Sequence, residues 1–171
     1  MKRIITVVTV LALMGFAGSA MAQSHDINID FTGFALMVLN NSDAITLTVD
    51  NSGVSAGEAP AGDDNADKWL NYTVLTATAS PYEIVGSLDS AMPAGLQLQV
   101  VSAAPTGTGG TGTAAAAKNL NDADQVIVNS ITSCWTGTGD NGANLTYTLS
   151  VTGAVDAVDD SRTVTYTIQA E

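Results

Sequence analysis

Two stretches near the end of the chain decide its fold: NLTYTLSV at residues 144–151 and TVTYTI at residues 163–168. In both, apolar and hydroxyl side chains alternate residue by residue. Because successive side chains of a β-strand point to opposite faces, each stretch predicts a strand with one apolar and one hydroxyl face. Two such strands need a partner sheet that covers the apolar face, with Tyr147 and Tyr166 packed in the core.

Short β-forming runs separated by turn residues continue upstream of these stretches, at residues 27–39, 45–49, 69–79, 82–88, 96–100 and 125–131. Polar or Gly-rich loops are expected between them, notably at residues 55–67 and 105–117. About eight or nine strands and no amphipathic helix predict an all-β fold. We expect a two-sheet antiparallel sandwich of Ig-like or pilin-like Greek-key type, with a closed barrel as the alternative.

The first 22 residues have the pattern of a secretory signal peptide. Lys2 and Arg3 precede an apolar run over residues 4–16, and Ala20-Met21-Ala22 fits the small-x-small pattern of a cleavage site. The apolar run is too short for a membrane span, although a retained anchor is the alternative. We therefore expect one β-sandwich domain over residues 23–171, without a membrane span and located in the periplasm, on the cell surface or outside the cell.

The predicted mature chain is strongly acidic. Loss of Lys2 and Arg3 changes the formal charge from −12 to −14. Nucleic acid is excluded as a partner, because phosphate binding needs a basic surface. Cys134 is the only cysteine, so a disulfide would have to join two molecules.

The sequence contains few residues that could form a catalytic site. His25 is the only histidine and lies close to the predicted mature N-terminus, where a catalytic triad could not easily hold it. The acidic residues gather in predicted loops and not in strands beside a cleft. We expect no catalytic residues, no enzymatic activity and no bound organic cofactor.

Calcium is the metal that the sequence suits best. Asp63, Asn65 and Asp67 place oxygen ligands at positions one, three and five, as in an EF-hand loop. Lys68 stands where that loop needs glycine, and Val74 stands where it needs glutamate. The alternative is a set of solvated loop acids.

Exposed aromatic rings could instead bind sugars on a cell surface. Trp135, at the end of a predicted strand, is the best candidate for a stacking platform. Tyr72, Tyr147 and Tyr166 fall on the strand parity assigned to the core, so packing is their expected role.

The N-terminal run is the candidate for self-association. Ile27, Ile29 and Phe31 share one parity, and after Thr32-Gly33 a continuous apolar run extends from Phe34 through Leu36 and Val38 to Leu39. Such a run should be covered on both faces. It can pair within its own domain, or it can add a strand to the sheet edge of a neighbouring copy. The predicted strand-addition residues are Ile27, Ile29, Phe31, Phe34, Leu36 and Val38.

In its general sequence features, and not in a diagnostic motif, the chain resembles secreted bacterial surface proteins of pilin-like or spore-coat-like type. The features that carry the resemblance are the leader ending in Ala20-Met21-Ala22, the Thr-rich alternating strands, the Gly/Thr loop and the final TVTYTI strand. It is also similar to uncharacterised secreted proteins in KWLNYT at residues 68–73, MPAGLQLQV at residues 92–100 and SCWTGTG at residues 133–139. Chaperone-assembled pilins commonly carry an internal cysteine pair, and this chain has a single cysteine.

Together these features predict a non-enzymatic extracellular structural or surface protein, namely a fimbrial or filament subunit that assembles by β-strand addition. The alternative is a calcium- or glycan-binding adhesin module.

Overall fold

The computed structural model describes residues 26–76, 80–156 and 159–171. The predicted signal peptide and His25 lie outside this part. The chain divides into two compact units, Met1–Asp30 and the larger Phe31–Glu171. Of the smaller unit only residues 26–30 are described, and they are exposed and lie in no strand.

The larger unit is built from two antiparallel sheets, so the predicted all-β sandwich is confirmed. The first sheet runs in the order β7-β11-β4-β12-β6-β9, and β1 pairs with the other edge of β4. Its strands are β1 (Phe34–Asn40), β4 (Asp64–Leu75), β6 (Leu96–Ser102), β7 (Thr108–Gly109), β9 (Lys118–Asn119), β11 (Cys134–Trp135) and β12 (Ala143–Val151).

The second sheet runs in the order β13-β5-β10-β8. Its strands are β5 (Tyr82–Leu88), β8 (Thr113–Ala114), β10 (Gln125–Ile131) and β13 (Val164–Ala170). A separate short ribbon pairs β2 (Val49–Asp50) with β3 (Ala61–Gly62). No described helix is long and apolar enough to cross a membrane.

The two decisive stretches lie in different sheets. β12 pairs with β6 and β4, whereas β13 pairs with β5 along seven residues. The chain therefore crosses between sheets after β12, and the two stretches face each other across the core instead of sharing one sheet under a separate partner sheet. Their apolar faces meet in the core, where the hydroxyl oxygens of Tyr147 and Tyr166 lie 2.6 Å apart.

The core lies between the sheets and follows the alternation of the sequence. Leu70, Val74 and Leu145 are fully or almost fully buried on the first sheet, and Ile84 and Ile131 are so on the second. Gly86 lies beside Tyr166 in the ladder, and a Cβ atom on it would lie 2.8 Å from the Tyr166 ring. The glycine therefore leaves room for the ring of the tyrosine.

Four predicted boundaries were wrong. The predicted strand at residues 27–39 is regular only at Phe34–Asn40. The predicted strand at residues 45–49 is regular only at Val49–Asp50, while Ile45 and Leu47 pack against the core without strand pairing. The predicted loop at residues 55–67 is too long, because β4 already begins at Asp64. Two short strands, β7 and β8, interrupt the predicted loop at residues 105–117.

Candidate interaction surface

The N-terminal residues expose apolar side chains in alternation. Ile27, Ile29 and Phe31 are 72%, 83% and 63% exposed. None of residues 26–33 lies in a strand. Covering side chains this accessible would be favourable, because the free energy falls when apolar surface is removed from water.

β1 adds a second row of exposed apolar side chains. Its inner residues, Ala35, Met37 and Leu39, pack against the core. Its outer residues, Phe34, Leu36 and Val38, are 44%, 63% and 58% exposed. The prediction that this run is covered on both faces is therefore wrong for the chain by itself: only one face is covered.

These two rows dominate the exposed apolar surface. In the part of the chain that the structure describes, eight large hydrophobic residues are exposed, and six of them are the predicted strand-addition residues. The other two are Val101 and Trp135. The structure thus places the predicted residues on the surface, in two groups of three.

β1 is an edge strand. It pairs with β4 in seven-residue register, from Phe34 opposite Leu75 to Asn40 opposite Trp69. No other described strand pairs with β1, although it lies close to β13. Its sequence, FALMVLN, has no charged residue and no proline. Edge strands usually carry such residues because they discourage pairing with another chain.

The end of β1 is anchored to the rest of the fold. Asn40 donates to the carboxylate of Asp140 at 3.1 Å. Lys68 is 4% exposed, and its ammonium group donates to the backbone carbonyls of Asn41, at 2.7 Å, and of Asp43. Asn41 has a φ of 58°, which turns the chain at this point. The anchored end holds β1 in place on β4.

Lys68 anchors the end of β1, a role that the EF-hand comparison does not indicate. In that comparison Lys68 only replaces a glycine. Its parity with Leu70 and Tyr72 was the available signal, because it places the lysine on the core side of β4, where a buried ammonium group needs acceptors.

Trp135 lies in the same outer face as the exposed side chains of β1. It is 58% exposed and pairs with Thr73, which pairs in turn with Leu36. A shallow groove runs beside this row, lined by Leu36, Met37, Val38, Asn71, Tyr72, Thr73, Gly137 and Thr138. Trp135 is thus exposed, as a stacking platform requires, and sugar binding stays a prediction.

The predicted calcium ligands bond to different partners: Asn65 and Asp67 bond to each other, whereas Asp63 bonds to Thr48. The carboxylate of Asp63 accepts hydrogen bonds from the Thr48 hydroxyl and, at 3.1 Å, from the Thr48 amide. These bonds hold the pKa of Asp63 below its usual value. Asn65 donates instead to the carboxylate of Asp67 at 3.0 Å, and both residues lie on β4. No group of three His, Cys, Asp or Glu side chains suited to a metal occurs among the described residues, and calcium binding stays a prediction.

The other groups with shifted pKa values lie in the core. Burial raises the pKa of Tyr147 to about 12 and raises that of Tyr72 further. Burial also raises the pKa of Tyr166, as does the neighbouring Tyr147. Cys134 is 1% exposed, and burial raises the pKa of its thiol. Such groups keep their protons at neutral pH, which suits packing and not nucleophilic chemistry.

No protein-family profile, curated protein or solved structure matches this chain. The resemblance to pilin-like and spore-coat-like surface proteins therefore stays a prediction.

Proposed function

We propose that this protein is a non-enzymatic extracellular structural or surface protein, a filament subunit that assembles by β-strand addition. The observation that carries the proposal is the position of the exposed apolar residues. Among the described residues, six of the eight exposed large hydrophobic side chains lie in a single stretch, residues 27–38, which precedes and forms an edge strand. Burial of such residues in a neighbouring copy would remove them from water.

The geometry favours addition between copies for a second reason. A strand-forming segment and an unguarded edge are different surfaces of one subunit. When such surfaces join, each subunit offers both, and the contact can repeat from copy to copy. The charge and the predicted leader agree with a place outside the cytoplasm, where net charge keeps the free subunit soluble.

The test is the size of the protein in solution. The full chain is expressed with its leader, exported and purified, and its mass is measured by light scattering over a range of concentrations. We expect assemblies that grow with concentration. The triple variant I27T/I29T/F31T should stay monomeric, because threonine preserves β propensity but removes the apolar face.

The matched control is V101T, which removes an exposed apolar side chain from β6, 37% exposed and outside the stretch. It should assemble like the parent. A parent protein that stays strictly monomeric at high concentration would contradict the proposal.

A glycan-binding adhesin is the second candidate. The observation that favours it is Trp135, exposed near a groove whose lining includes Thr73 and Thr138. An aromatic face near hydroxyl groups suits stacking against a sugar. A glycan array that gives a signal with the parent and none with W135A would support this function.

A further inference from the structure

We infer that the acceptor for residues 27–31 is the open edge of β1 in a second copy, in an antiparallel register that pairs Ile27 with Val38, Ile29 with Leu36 and Phe31 with Phe34. The inference rests on the proposed function, because strand addition is the route of assembly. It goes further by naming the edge, the face and the register.

The register follows from the spacing of the two groups. The residues Ile27, Ile29 and Phe31 repeat every second position, as do the outer residues of β1. All ten strand pairings of the described residues are antiparallel. In that direction, one alignment places all three apolar pairs directly opposite each other on the outer face. Cross-strand apolar pairs of this kind stabilise a sheet.

The same alignment within one chain would need a tight hairpin at Thr32-Gly33. Two-residue hairpin loops require a positive φ at their first residue, which favours glycine, asparagine or aspartate. The first residue is here the β-branched Thr32, and neither Thr32 nor Gly33 has a positive φ. The local sequence therefore opposes the hairpin and directs the segment to another copy.

The side chains of the two edge strands favour β1 over β13 as the acceptor for residues 27–31. Both strands lie at an edge of their sheets as described. On β13 the outer residues Thr165 and Thr167 are exposed and polar. On β1 they are apolar, so only there does the apolar face of the incoming segment meet apolar neighbours. The formal charge of the chain also implies that the copies repel each other, so added salt should strengthen the pairing.

Cysteine cross-linking between singly substituted chains tests the pairing. Full-length exported I29C and L36C proteins are mixed under mild oxidation, and the mixed disulfide dimer is measured on a non-reducing gel. The mixture of N28C with L36C is the matched control, because residue 28 faces the opposite side of the strand. We expect roughly tenfold more mixed dimer with I29C than with N28C, since a disulfide needs both Cβ atoms on one face. Cys134 is buried in every chain and contributes equally.

Each outcome of the cross-linking experiment supports or overturns the proposed pairing. A dimer between I29C and L36C supports the inference. A dimer between I29C and T167C in its place overturns the choice of β1 but leaves the proposed function intact. Absence of both dimers, in a protein that still assembles by light scattering, also overturns the inference alone. Absence of both in a strictly monomeric protein overturns the inference and the function together.

The doubly substituted chain I29C/L36C separates pairing within a chain from pairing between chains. A ladder of disulfide-linked multimers is expected if each copy donates to the next. A monomer with an internal disulfide would mean that the hairpin forms despite Thr32, and it would overturn the inference. A closed dimer without larger species would support the register but contradict the filament.

Discussion

The edge strands β1 and β13 have the same length and the same form of pairing, but opposite outer faces. Each pairs along seven residues with one neighbour, β4 or β5. Each packs alternate side chains against the core. The outer face of β13 carries exposed threonines, whereas Leu36 on β1 is 63% exposed. The outer face of β13 is thus polar, as is usual for an edge strand, whereas the outer face of β1 is apolar and exposed to water.

The largest expected contrast is between two leucines on neighbouring strands. L70A should lower the free energy of unfolding by about 2–5 kcal/mol, because Leu70 is fully buried on β4. L36A should change it by less than about 0.5 kcal/mol, because its side chain is mostly in water. Urea unfolding of the monomer measures both. A large loss in L36A would mean that the outer face of β1 is covered within the chain.

The tyrosine pair that joins β12 to β13 should give the next largest effect. Y147F leaves the buried hydroxyl of Tyr166 without its 2.6 Å partner and should cost about 1–3 kcal/mol of unfolding free energy. Y147F/Y166F removes both hydroxyls and should cost less than the sum of the two single variants. A double-mutant cycle by urea unfolding measures the coupling, and strict additivity would contradict a bond across the sandwich.

The same pair predicts a dependence on alkaline pH. The pKa of Tyr147 is raised to about 12 and that of Tyr166 is raised as well, whereas both ionise near pH 10 in the unfolded chain. The folded state therefore holds more protons above about pH 10, and its stability should fall there by about 1.4 kcal/mol per pH unit for each tyrosine. Unfolding midpoints between pH 8 and 12 should fall less steeply in Y147F/Y166F; equal slopes would be the contrary result.

Loss of the Lys68 hydrogen bonds should destabilise the edge strand β1 but not the edge strand β13. K68M removes the donor to the carbonyls of Asn41 and Asp43 and should cost about 1–3 kcal/mol. Because the anchor holds the end of β1, amide hydrogen exchange should speed up in β1 and stay unchanged in β13. K118M on β9 is the matched control and should change neither edge.

The smallest effect is expected at Asp63, which belongs to neither edge strand. Its lowered pKa means that its contribution to stability is present above the unfolded pKa and is lost as the pH falls through the folded pKa. D63N should lower the melting temperature slightly at pH 7, and the difference from the parent should shrink as the pH falls below about 4, with D64N as the control. A calcium-dependent rise in melting temperature that D63N abolishes would instead support a metal site.

Strict alternation made much of the fold predictable, and its absence set the limits. Leu145, Tyr147 and Tyr166 alternate with hydroxyl residues, so their faces could be assigned from the sequence. In the continuous apolar run of β1 both faces look alike, so the sequence predicted cover on both faces, although only the face of Ala35, Met37 and Leu39 is covered. Asp64 and Asn65 are unfavourable in strands, which hid the start of β4. The strand parity of Lys68 indicates that its side chain is buried, but no local pattern predicts its acceptors or the contact between Asp140 and Asn40, which are distant in the chain.

The burial of Cys134 has a practical consequence. Its thiol is protonated and out of reach while β11 stays paired with β4 and β7. An alkylating reagent in solution should therefore react only when this part of the first sheet opens. The rate of modification of this single cysteine then reports, in a protein without substitutions, how often β11 separates from β4, the strand that also carries β1.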